Sequence, residues 1–116
     1  MRLCGFDARV AVLLLVWTAP AASFTGVELF DLCFRKGTDG QLACTSYVRG
    51  FADGVAFEGL MVGGDAKYCP PQSLPGKEIR LIVEKYLKNH ADQLGREAGA
   101  LVGLALHQAF PCKRLH

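Results

Sequence analysis

The sequence predicts an all-α protein: a small four-helix domain stapled by two disulfides and preceded by a cleavable signal peptide. Three observations carry this reading. Apolar residues recur at helical spacing in four successive segments, with neither β-branched alternation nor an Asn-Gly hairpin to compete. Four cysteines, Cys33, Cys44, Cys69 and Cys112, fall in the body of a short chain. Ahead of them stands a segment with the layout of an export signal.

That leader comes first. Arg2 and Arg9 make a basic start, residues 10–22 carry no charge, and residues 12–17 are strongly apolar. Ala19, Ala21, Ala22 and Ser23 then supply small residues around Pro20, so cleavage is expected after Ala21 or Ser23. The apolar stretch falls short of the roughly 20 residues a membrane span needs. Residues 1–23 are therefore read as signal peptide and residues 24–116 as one helical domain, destined for export. Cys4 precedes the apolar run and leaves with the leader. The whole chain carries a formal charge of only +2 at pH 7 and lacks a basic stripe, so nucleic acid is not an expected partner.

The first helix opens at Thr25, where Thr25 and Glu28 have the spacing of a capping box. Val27, Phe30, Cys33 and Phe34 then share one helical face. Residues 37–40, Gly-Thr-Asp-Gly, read as a turn in which Asp39 caps the next helix. The second helix is expected over residues 41–61, with Tyr47, Val48, Phe51, Val55 and Leu60 apolar and Arg49, Asp53 and Glu58 wet. Gly50 and Gly54 each weaken it by roughly 1 kcal/mol against Ala. Close approach of another helix is the expected compensation, and Gly95, Gly99 and Gly103 form the matching row.

Residues 63–65 break the helix, and residues 68–71 form a segment stiffened by Pro70 and Pro71. The third helix is expected from Ser73 or Leu74, with Ile79, Ile82, Val83, Tyr86 and Leu87 inward and Glu78, Glu84, Lys85 and Lys88 in water. Residues 89–95 form a polar connector. The fourth helix spans residues 96–110, with Leu101, Val102, Ala105, Leu106 and Ala109 apolar, and Pro111 ends it.

Helix geometry then pairs the cysteines. Consecutive helices with short connections run antiparallel. Cys33 ends the first helix and Cys44 begins the second, so the two sit at one end of a hairpin. Cys69 precedes the third helix and Cys112 follows the fourth, which an antiparallel pair also brings together. The expected bonds are Cys33–Cys44 and Cys69–Cys112. A structural zinc site wants close pairs such as Cys-x-x-Cys, and none occurs, so neither metal nor cofactor is expected. A catalytic site is not expected either. His90, His107 and His116 stand apart from any nucleophile, His-x-x-x-His and Gly-x-Ser-x-Gly are absent, and Asp53 and Glu58 are badly spaced for a carboxylate pair.

Four strings are more specific than any catalytic motif: LACTSYVRGFADGVAF, KYCPP, IVEKYLKNH and ALVGLALHQAFPC, in that order. Together they resemble the Rap/Tai family of type VI secretion immunity proteins. The matching positions are Cys44, Tyr47, Gly50, Asp53, Gly54, Cys69, Pro71, Tyr86, Leu87, Phe110, Pro111 and Cys112. Ala91 departs from the pattern, in which Pro commonly follows His. The resemblance implies a non-enzymatic periplasmic binding protein, often a homodimer, whose partner is a peptidoglycan-cleaving amidase effector. It further implies that the connector at residues 89–95 plugs the enzyme's cleft. His90, Asp92 and Gln93 would offer hydrogen-bonding groups there and Leu94 an apolar anchor. Two other classes suit a small, helical, disulfide-bonded envelope protein. One is an acid-stress chaperone of the HdeA type, and the other an accessory subunit of an envelope enzyme.

Overall fold

The computed structural model describes residues 22–113. The leader expected over residues 1–23 falls almost wholly outside them. Four α-helices make up the domain: α1 (Gly26–Phe34), α2 (Thr38–Val62), α3 (Gly76–Asn89) and α4 (Ala98–Ala109), with a single 3-10 turn, Ala91–Gln93, before α4. The described residues contain no strand, only a one-residue antiparallel bridge between Thr25 and Glu97.

The capping box at the start of α1 is formed. Thr25 N–H donates to Glu28 Oε2 at 2.7 Å, and Glu28 N–H donates to Thr25 Oγ1 at 3.4 Å. Of the face expected for α1, Cys33 is buried and Phe30 and Phe34 pack half-buried on the core, whereas Val27 is exposed; Gly26 and Leu29 complete the buried side. The stretch read as a turn is instead the first turn of α2. The reversal is confined to residues 35–37, where Gly37 takes φ 104°, a value that an L side chain avoids. Gly40 is buried inside the helix, against Arg35 and Leu32. α3 begins at Gly76 with Pro75 as its extended N-cap, later than expected; a proline disfavours helical backbone in the residue before it, here Leu74.

Both disulfides form as expected. Cys33 and Cys44 close the α1–α2 hairpin with Cα atoms 4.9 Å apart. Cys69 and Cys112 bring the segment before α3 against the end of α4 with Cα atoms 5.0 Å apart. Their sequence separations, 11 and 43, correspond to roughly 3 and 4 kcal/mol of loop-closure entropy removed from the unfolded chain. The core is Leu29, Val48, Ile79, Val83, Leu87, Leu101, Val102 and Leu106, with Cys33, Cys44, Ala98 and Ala105 between them. One charged pair lies among these side chains. Arg80 Nη1 donates to Glu84 Oε1 at 2.6 Å, with the two side chains 11% and 12% exposed. The sequence pattern puts Glu84 in water; its i, i+4 spacing to Arg80 lets both be buried as a pair.

The two glycine rows do not face each other. Phe51 of α2 lays its ring on the α4 row, where a Cβ at Gly99 would sit 3.3 Å from Phe51 Cε2 and one at Gly103 3.3 Å from Phe51 Cζ. Gly50 and Gly54 have open space where a side chain would stand, and so does Gly95. Leu60 is likewise outside the core, at 84% exposure. Length explains the exposure of Leu60. At 1.5 Å per residue, α2 is about 37 Å long, whereas α1, α3 and α4 are about 13, 21 and 18 Å. The last two turns of α2 outrun every neighbour.

The segment from Gly63 to Pro75 has no regular structure and is tied down at three points. Cys69 N–H donates to Phe110 O at 2.8 Å, His107 Nδ1 donates to Lys67 O at 2.7 Å, and the second disulfide holds Cys69. Tyr68 packs half-buried against the core, and burial, with the charge of Asp53 added, pushes its phenol above the ordinary value of 10.0.

Contrasting effects are expected at the two glycine rows. Gly99→Leu should lower stability by more than about 1 kcal/mol through overpacking against Phe51. Gly54→Leu, measured in dilute solution, should be neutral or stabilising, since it adds helix propensity without a clash. Thermal melting of the oxidised protein decides both, and a Gly54→Leu variant as damaged as Gly99→Leu would contradict the open face. Tyr68, like Tyr47, contributes stability that is lost in alkali. Its raised folded pKa favours the neutral phenol, so its stabilisation is complete below about pH 10 and is lost as pH rises through the folded value. Tyr68→Phe should therefore flatten the fall of Tm with pH above about 10; parallel curves for the two proteins would refute this.

Candidate functional site

The connector between α3 and α4 is built from three local features. α3 ends at His90, whose φ of −128° and ψ of 45° turn the chain out of the helix while its N–H still reaches Leu87 O at 3.3 Å. The His90 ring stacks on Tyr86, with centroids 3.9 Å apart and planes 18° from parallel. Its Nδ1 lies 2.8 Å from Tyr86 O. A carbonyl only accepts, so Nδ1 carries the hydrogen and Nε2 is left for another partner. The 3-10 turn Ala91–Gln93 comes next, closed by Gln93 N–H to His90 O at 2.9 Å and Arg96 N–H to Gln93 O at 3.0 Å.

The base of this connector is gripped by the start of α1. The first N–H groups of a helix have no partner inside it. Here Gly26 N–H donates to Arg96 O at 2.8 Å and Val27 N–H donates to Leu94 O at 2.9 Å. In return Ala98 N–H donates to Phe24 O at 2.9 Å. A side chain at position 26 would collide with the Leu101 side chain and come within 2.8 Å of Leu94 O, so only glycine allows the approach. The connector is thus a short loop on a backbone clamp.

The four candidate residues from the sequence lie together, in different settings. Asp92 is exposed at the tip. Gln93 is half-buried and accepts from Arg96 Nη1 at 3.3 Å. His90 is half-buried against Tyr86. Leu94 is half-buried and packs on the core, with its carbonyl in the clamp. Arg96 is a member that sequence reasoning missed, and it adds a cation to this turn. Its i, i+3 spacing from Gln93 is the signal that could have found it.

Apart from this loop, a concavity of about 600 Å3 lies between the distal half of α2 and the Gly63–Pro75 segment; Arg49, Asp53, Ala56, Tyr68, Pro71 and Leu74 line it. A second, of about 670 Å3, opens between α2 and α4 beside Phe51, Lys67, Gly103 and His107. Burial also raises the Tyr47 phenol above its ordinary pKa of 10.0. Among the described residues, no group of three or more His, Cys, Asp or Glu is placed to hold a metal ion. No helix there is long and apolar enough to cross a membrane.

No curated protein and no solved structure matches the chain. A family comparison does, and over nearly all of the described domain: residues 25–112 match the Rap1a immunity proteins. The match begins at the N-cap of α1 and ends at the last disulfide cysteine, so it takes in all four helices, both disulfides and the clamped connector. The chain belongs to the Rap1a immunity protein family.

Proposed function

We propose that the mature protein is a periplasmic immunity protein that binds and inhibits a peptidoglycan amidase effector, without turnover of its own. Family membership over residues 25–112 supports the immunity role and a protein partner. Two disulfides suit an oxidising compartment such as the periplasm.

The inhibitory element in this reading is the connector at residues 89–95. The observation that carries it is the combination of an exposed polar tip with a fixed base. Asp92 stands in solvent, while the carbonyls of Leu94 and Arg96 are held by α1. A loop pre-set in this way loses little conformational entropy on entering a cleft. Asp92 supplies a carboxylate, Gln93 an amide and His90 a free Nε2, which suit a cleft lined with hydrogen-bonding groups. Leu94 holds the loop from within rather than reaching outward.

The test is titration of the oxidised mature protein against peptidoglycan amidase effectors. Asp92→Ala with Gln93→Ala should keep melting and helicity unchanged while weakening inhibition by at least about 10-fold, the loss expected for charged hydrogen bonds at an interface. Gly26→Ala should act in the opposite order: it lowers Tm by opening the clamp, and inhibition weakens because the loop base shifts. Full inhibition by the folded double variant would move the binding face to α3 or to the Gly63–Lys67 turn.

A further inference from the structure

The two disulfides stand in opposite surroundings. Cys33 and Cys44 are 4% and 0% exposed and lie among the core side chains. Cys69 is exposed and Cys112 half-buried. A disulfide opens when a thiolate reaches one of its sulfurs, so access decides which bond exchanges. The core shuts off the first bond and leaves the second within reach of solvent.

The consequences of opening also differ. Cys33 and Cys44 belong to α1 and α2, whose packing around Leu29 and Val48 would keep two thiols side by side. Cys69 belongs to the Gly63–Pro75 segment, which has no helix of its own. Once the bond is open, the Cys69 N–H to Phe110 O and His107 Nδ1 to Lys67 O hydrogen bonds and the packing of Tyr68 and Leu74 are what hold it. Hydrogen bonds at the surface contribute about 1 kcal/mol each, too little to keep thirteen residues ordered. The opened state has one further feature. Ala66 O lies 3.8 Å from Cys112 Sγ. A disulfide sulfur has no hydrogen to donate, so this carbonyl gains a donor when Cys112 becomes a thiol.

We propose that Cys69 is a thiol-exchange site, at which a dithiol opens the Cys69–Cys112 bond and releases the Gly63–Pro75 segment while Cys33–Cys44 stays closed. A thiolate of the dithiol attacks Cys69 Sγ. The Cys69–Cys112 bond breaks, a mixed disulfide forms on Cys69, and Cys112 leaves as a thiolate that takes up a proton. The second thiol of the reagent loses its proton, attacks its own partner sulfur in the mixed disulfide and expels Cys69, which is protonated in turn. Two electrons and two protons have passed to the protein, and the dithiol departs as a disulfide. The released segment no longer walls the concavity beside α2, so Leu74, Ile79 and Leu106 on its lining meet water. The clamp at the α3–α4 connector uses other residues, so the exchange site stands independently of the amidase reading.

The test equilibrates the oxidised mature protein in dithiothreitol buffers of rising reducing strength, followed by quenching with N-ethylmaleimide and peptide mass spectrometry. Cys69 and Cys112 should be labelled together, at a dithiol-to-disulfide ratio at least about 10-fold below the one that labels Cys33 and Cys44. At the intermediate ratio, hydrogen exchange should rise across residues 63–75 and stay unchanged in α1 and across residues 94–98. The Cys69→Ser, Cys112→Ser double variant should show the same exchange pattern with its helicity retained; if it does not fold, the half-reduced natural chain supplies the same reading. With glutathione in place of the dithiol, the adduct trapped first should sit on Cys69. Labelling of all four cysteines together, earlier labelling of Cys33 and Cys44, a first adduct on Cys112, or unchanged exchange across residues 63–75 after opening would each overturn the proposal.

Discussion

The fold depends on the chain being closed on itself at two covalent points. Its core is a short list of aliphatic side chains around Leu29, Val48, Leu87, Leu101 and Leu106. A domain of this size buries too little apolar surface for a wide stability margin. The Cys33–Cys44 bond lies within that core and sets the angle at which α1 leaves α2. The Cys69–Cys112 bond does the same for a segment with no helix of its own, and the carbonyls of Lys67 and Phe110 complete its attachment. Without these bonds the Gly63–Pro75 stretch would have two hydrogen bonds and the packing of Tyr68 and Leu74 to set against the entropy of thirteen residues.

Helix ends do much of the remaining construction. α1 is short, and its first amides would be unpaired if it stopped at the surface. One is taken by Thr25 and two by the connector before α4, so capping and tertiary docking are a single event. This couples the two halves of the molecule through backbone groups, where side-chain identity matters little except at Gly26.

The helices, both cysteine pairings and the capping box are legible in the sequence, because each arises from local periodicity, spacing or a short motif. Thr25 with Glu28 is such a motif, and so is the run from Ile79 to Leu87. Three things are not legible. The glycine rows look matched because both repeat every four residues, but spacing along one helix cannot say which face it turns to a neighbour; Phe51 lies on one row and the other is open. Glu84 reads as a solvent-facing charge because its burial depends on forming a pair with Arg80. The clamp between Phe24–Val27 and Leu94–Ala98 uses only backbone atoms, which a sequence does not display. At the connector, the positions of Asp92 and His90 are readable as a polar loop, whereas the inward turn of Leu94 requires the fold.

The pairing order of the cysteines bears on how the molecule is made. A chain emerges from its N-terminus, and the bonds join the first cysteine of the domain to the second and the third to the fourth. Among the four cysteines of the domain, Cys33 therefore meets its native partner before either of the other two has appeared, and Cys69 follows both. Were the cysteines of the domain oxidised in the order in which they emerge, the native pattern would form without a reshuffling step. The clamp cannot close until residue 98 is out, so the α1–α2 hairpin must wait, already bonded, for the rest of the domain to arrive.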